Sequence, residues 1–281
     1  MIMHCLFRRI VLTLGVTALV AGMQAANAEL PHKASENFGI YRYEMVSDPA
    51  GQDLDGNGTS DFHEVNDGSS PLPAFADGFV TIPRVDSNYG NTYNSDTAAQ
   101  AWLYSGVSKA TGWTLEIRLK TDTAPQDPNN LTRSIGIWAG AAYGPAAPGV
   151  AGTAVLSVDD AHLYWGHPSI QPAIQLDGTF DNKSDYHVYR IAAIPGAYMS
   201  GSDYSVWRDG VLLSSNLDSV FPYWAPQLQF GDIHGGVHGT TGIDYVRFTT
   251  GAFAPTVPSP TTLALLAAGM TGLLACARRK R

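Results

Sequence analysis

The chain has almost no cysteine. The two it carries, Cys5 and Cys276, both lie in terminal apolar segments, so the interior has no disulfide and no thiol for metal binding or nucleophilic catalysis. Glutamate is nearly as scarce: Glu29, Glu36, Glu44, Glu64 and Glu116 are all there are. No two of them fall at the close spacing that places an acid and a nucleophile on one strand face, and no Gly-x-Ser-x-Gly elbow is present. Helical periodicity is all but missing as well. Basic residues are few: residues 29–254 hold 11 Lys and Arg against 25 Asp and Glu, a formal charge of −14. A surface this acidic excludes nucleic-acid binding and suits cations and neutral sugars.

What is present begins with two address segments. Residues 1–28 read as a secretory signal peptide: Arg8 and Arg9 close a basic region, Ile10 to Met23 are apolar, and Ala26-Asn27-Ala28 offers a cleavage site. Residues 254–281 read as a proline-rich linker, a short transmembrane sorting helix and the basic end Arg278-Arg279-Lys280-Arg281. As a helix, Thr262 to Ala277 would span about 24 Å, short of a hydrocarbon core of about 30 Å. The basic end would stay on the cytoplasmic side.

This three-part ending, with Pro258-Ser259-Pro260 ahead of the apolar run and Arg278-Arg279 after it, resembles the PEP-CTERM sorting signal. Serine stands at 259 where that signal has glutamate. The resemblance implies export in a Gram-negative bacterium, transient anchoring in the inner membrane, and processing by an exosortase-type enzyme. Delivery to the envelope, outer surface or extracellular matrix would follow.

Between these ends, residues 29–253 read as one all-β domain. Short alternating runs are separated by Gly, Pro, Asn and Asp clusters. In "WTLEIRLK", Trp113, Leu115, Ile117 and Leu119 point to the core, while Thr114, Glu116, Arg118 and Lys120 face water. Further strands are expected at Phe79–Ile82, Ser134–Trp138, Ala154–Val158 and Ala173–Leu176, from Tyr186, and from Ile243. Asp209-Gly210 in "YSVWRDGVLL" predicts a two-residue hairpin turn. About a dozen strands and little helix favour a two-sheet antiparallel jelly-roll sandwich. "DYHVYRIA", "YSVWRDGVLL" and "FGDIHGGVHGTTGIDYVRFTTGAF" resemble the second half of concanavalin A-like, LamG-type domains. That resemblance implies two curved antiparallel sheets and a domain that binds glycans, hydrolyses them, or mediates contacts.

The densest chemistry is "DLDGNGTSDFHE", residues 53–64. Asp53, Asp55, Asn57, Thr59, Asp61 and Glu64 occupy the first, third, fifth, seventh, ninth and twelfth places of a calcium loop, with Gly58 at the sharp sixth place. Pro49 and Gly51 before the loop, and Gly68 with Pro71 after it, exclude the flanking helices of an EF-hand. An isolated structural Ca²⁺ site is expected. Trp165 and Trp224, each beside loop signals, are candidate sugar-stacking platforms. Asp159 and Asp160, being adjacent, would face opposite ways on a strand and read as a turn after Val158. The expected function is a non-catalytic, calcium-stabilised surface protein that binds an extracellular polysaccharide. The alternatives are a polysaccharide hydrolase or lyase with an atypical acidic site, and a purely structural matrix protein.

Overall fold

A computed structural model describes residues 30–39, 41–65, 72–83, 92–95, 111–124, 135–142, 151–166, 173–176, 178–195, 204–218, 227–232 and 239–256. Among these, β1 is Arg42–Glu44, β2 Phe62–Val65, β3 Ala74–Ala76, β4 Phe79–Ile82 and β5 Thr92–Ser95. Then come β6 (Trp113–Thr121), β7 (Ile135–Ala142), β8 (Ala151–Val158), β9 (Leu163–Trp165) and β10 (Ile174–Gln175). The last five are β11 (His187–Ala193), β12 (Tyr204–Arg208), β13 (Val211–Leu217), β14 (Gln227–Asp232) and β15 (Thr241–Thr250). Short 3-10 turns occupy Ser35–Asn37 and Pro49–Gly51. All of these elements belong to the unit His32–Arg281.

The strands form two antiparallel sheets. One has the order β13-β12-β11-β6-β15-β4-β3, with β1 also paired to β15; the other runs β10-β9-β8-β7-β14-β5-β2. One edge of β15 serves two partners: β4 lies along Thr241–Ile243 and β1 along Tyr245–Arg247. Between them the register against β6 shifts at Asp244, whose carbonyl accepts the Met45 N–H. The extra residue resets the alternation, so that Ile243, Val246 and Phe248 all enter the core while Tyr245 and Arg247 face outward.

The two sheets share one apolar core. Leu115, Ile117 and Leu119 of β6 and Tyr189 and Ile191 of β11 join Leu156 and Val158 of β8 and Phe230 of β14 in a single cluster. Tyr43 of β1 meets Phe62 of β2 edge-on at 4.7 Å, and Trp165 of β9 meets Tyr204 of β12 at 5.3 Å. Each such buried aromatic contributes roughly 1.5–3 kcal/mol over its exposed state.

The Asp209-Gly210 turn forms as expected, with φ of 50° and 80° between β12 and β13. Asp209 also accepts the Val188 N–H at 3.0 Å, fixing the turn to the neighbouring strand. Gly210→Ala should therefore cost about 1–2 kcal/mol through its left-handed backbone, a loss that urea unfolding would resolve.

The outer face of β6 differs from expectation. Arg118 and Lys120 are partly exposed, but Thr114 and Glu116 are buried. Residues 33–38 lie across this face and exclude water from it. The Lys33 carbonyl accepts from Arg190 Nη1 at 2.8 Å, Phe38 lies beneath the Arg190 guanidinium at 4.9 Å, and Ser35 Oγ accepts from Arg247. Beneath this strap, Glu116 Oε2 accepts from Arg190 Nε at 2.8 Å and Nη2 at 2.6 Å, and Oε1 accepts from the Tyr245 hydroxyl at 2.8 Å.

Candidate functional site

The loop between β1 and β2 is built by its own side chains. Asp48 caps the 3-10 turn by accepting the Ala50 N–H, and the Asp61 N–H donates to the Gln52 carbonyl at 2.8 Å, closing the loop. Asp53 accepts three backbone N–H groups, from Gly56, Asn57 and Gly58. Gly56 and Gly58 have φ of 72° and 85°, a left-handed backbone that lets the chain wrap around Asp53. Asp55 accepts from the Asn57 N–H and side-chain amide, and Asn57 Oδ1 accepts from Thr59 N–H.

Asp61 is different in kind. It is 0% exposed, whereas Asp53 is exposed. Its Oδ2 accepts from the Tyr43 hydroxyl at 2.9 Å and from Leu54 N–H at 2.8 Å. Its Oδ1 is buried with no hydrogen-bond partner. Burial pushes the Asp61 carboxyl above the usual carboxylate range, while the Gly58 N–H and its neighbours hold Asp53 below it. The nearby tyrosines respond in the same way. Burial, with the charges of Asp55 and Asp61, pushes Tyr41 up to about 12, and Tyr43 is raised further by burial and Asp61.

Oxygens of Asp53, Asp55 and Asp61 all lie within 4.8 Å of one another. Calcium–oxygen distances of about 2.3–2.6 Å let one ion bridge oxygens about 5 Å apart. The donor set is all oxygen, and the buried bare Oδ1 of Asp61 is a position that a hard cation would complete. These residues fit calcium.

Glu64 is outside this group. In a helix-flanked loop the twelfth residue turns back toward the ion, but here the chain leaves the loop as β2. Strand alternation then puts Glu64 on the same side as the buried Phe62, while His63 is exposed. Asn57 and Thr59 stay in the loop, with Asn57 Oδ1 engaged by Thr59 N–H. Of the expected acidic ligands, the loop brings Asp53, Asp55 and Asp61 together.

The other candidates resolve differently. Trp165 is 1% exposed and its indole N–H donates to the Asp218 carbonyl at 2.8 Å, so it is a core side chain with no face for a sugar. Trp224 lies outside the described residues, as do residues 1–28, Pro258, Ser259, Pro260, Arg278 and Arg279. Asp159 follows β8 in a turn, where it accepts from Ala161 N–H, His162 N–H and the Tyr164 hydroxyl.

A feature absent from the sequence reading is an open groove of about 550 Å³ on the outer face at the β3–β4 end of the first sheet. Phe79 and Tyr186 stack in it at 4.6 Å, and Lys120 Nζ lies 4.9 Å from the Tyr186 ring. Asp77, Asp122 and Lys183 also line it. Gly242 makes room: a Cβ there would sit 2.3 Å from the Tyr186 hydroxyl. A glycine within a strand next to a tyrosine 56 positions away carries no local sequence signal.

No protein-family model matches the chain, and no curated protein matches it. Among solved structures, a carbohydrate esterase from Shiga toxin-encoding bacteriophage phi24B is 13% identical, with a TM-score of 0.47 over 76% of this chain and 98% of that one. Domain 4 of a GH43 extracellular arabinanase from Geobacillus stearothermophilus, solved in complex with arabinotriose, is 15% identical, with a TM-score of 0.47 over 79% of this chain and 96% of that one. Trypanosoma rangeli sialidase is 12% identical, with a TM-score of 0.48 over 76% of this chain and 30% of that one. At these values the architecture rests on the sheets of the chain itself.

Proposed function

We propose that this chain is an exported, non-catalytic surface protein: a calcium-braced, concanavalin A-like jelly-roll sandwich of the LamG type that binds a glycan of the cell envelope or extracellular matrix. One observation carries the reading, namely how the acidic side chains are used. Glu116 is consumed by Arg190 and Tyr245, and Asp159 by backbone N–H groups and Tyr164. Among the described residues, the acids that converge are Asp53, Asp55 and Asp61, in a loop suited to a cation. Acids engaged in this way serve architecture.

The glycan would lie in the groove beside Tyr186. Aromatic carbon with a few polar groups around it is the mixture that sugar rings and hydroxyls require. Lys120 and Lys183 would donate and Asp77 and Asp122 accept. Export and surface delivery follow from residues 1–28 and from the Pro258-Ser259-Pro260 ending, with an exosortase-type enzyme as the processing partner.

A glycan array probed with the full chain tests the reading. Binding to a defined set of polysaccharides is expected, and Asp122→Asn and Lys183→Ala should each weaken it about tenfold, near the 1.5–3 kcal/mol of a hydrogen bond to a charged group. Silence across the array contradicts glycan binding. Binding that both variants leave intact removes it from this groove.

A further inference from the structure

We propose that Tyr43 is the positioning residue of the cation site: its hydroxyl pins one oxygen of Asp61 so that the other is presented to the ion, tying the loop to the opposite sheet. This rests on the calcium reading above. Tyr43 belongs to β1 in the sheet that contains β15, whereas Asp61 immediately precedes β2 at the end of the other sheet. The Tyr43 ring is 0% exposed and wedged between Phe62 and Phe248, at 4.7 Å and 5.9 Å, so its hydroxyl has little freedom to choose an acceptor.

The two oxygens of Asp61 are sharply unequal. Oδ2 has both Tyr43 and Leu54 as donors, and Oδ1 has none. A buried carboxylate with one bare oxygen, beside two more carboxylates, is an unfavourable arrangement by itself. A cation reverses the sign of that electrostatics. Outer partners that fix a ligating carboxylate typically change metal affinity 10–100-fold when removed. Tyr43 also reaches past the site, since its ring joins the Phe248 and Tyr41 stack on the β15 side. Ion binding would therefore be felt in β1 as well as in the loop.

Calcium titration of the full chain by calorimetry tests this. Tyr43→Phe should raise Kd at least tenfold. Tyr189→Phe removes another buried hydroxyl, one that donates to Asn182 at 2.8 Å, and should leave Kd unchanged. Hydrogen exchange on the wild-type protein provides a readout that needs no variant: calcium should slow exchange at Arg42–Glu44 as well as at residues 53–61. An unchanged Kd in Tyr43→Phe, or protection confined to residues 53–61, overturns the role of Tyr43 while leaving the calcium site standing. A wild-type protein that takes up no calcium overturns both.

Discussion

Replacing Glu116 with alanine lowers the stability of the protein by about 3–5 kcal/mol, the cost of leaving a buried charge without its partner. Arg190 is 2% exposed and Glu116 1%, and the strap of residues 33–38 keeps water from reaching the vacated space. After the substitution, Arg190 keeps the Lys33 carbonyl and the Phe38 ring but no counter-charge. Tyr245 loses the acceptor for its buried hydroxyl at the same time. Arg190→Ala should cost a similar amount, because it strands the Glu116 carboxylate with Tyr245 alone. The double replacement Glu116→Leu with Arg190→Met should recover most of the loss, since apolar side chains of similar volume often replace a buried pair without penalty. Urea unfolding of the three variants checks this, and a Glu116→Ala loss below about 1 kcal/mol, the range of an exposed pair, contradicts it.

The second large effect is calcium itself. At one hundred times its Kd, an ion that binds only the folded state adds about 2.7 kcal/mol. For a domain of this size each kcal/mol moves Tm by roughly 2–4 °C, so a rise of about 5–11 °C is expected. Asp61→Asn should abolish the rise. Without calcium the same variant should be at least as stable as the wild type, because it removes a buried charge while keeping an oxygen for Tyr43 and Leu54. Opposite signs in chelator and in calcium are the signature of a carboxylate held for an ion. Thermal unfolding in both buffers measures it, and an equal calcium increment in both proteins contradicts it.

How legible these features are depends on the distance over which each is specified. Alternation marks Trp113–Thr121 because each residue's face follows from its neighbours, and Asp209-Gly210 marks a hairpin because the turn's backbone demands are local. The spacing of Asp53, Asp55 and Asp61 is equally local, and the three converge. Glu64 lies apart from them because this chain leaves the loop as a strand, whereas the calcium-loop pattern assumes a helical exit. Glu116 reads as a lone acid on a wet face because its partner, Arg190, lies 74 residues away and is set opposite it only by the β6–β11 register. Trp165 reads as a loop platform because Gly166 and Pro168 follow it; in the fold it closes the core against Tyr204. Gly242 and Tyr186 give no sign in sequence that one makes space for the other.

Calcium held at residues 53–64 through Asp53, Asp55 and Asp61 underlies the proposed function. Calorimetric titration of the full chain with calcium, wild type beside Asp61→Asn, Asp53→Asn and Glu64→Gln, measures this directly. One ion per chain is predicted for the wild type and for Glu64→Gln, with binding lost in both aspartate variants. No heat at millimolar calcium, or an Asp61→Asn protein that binds as the wild type does, would contradict it.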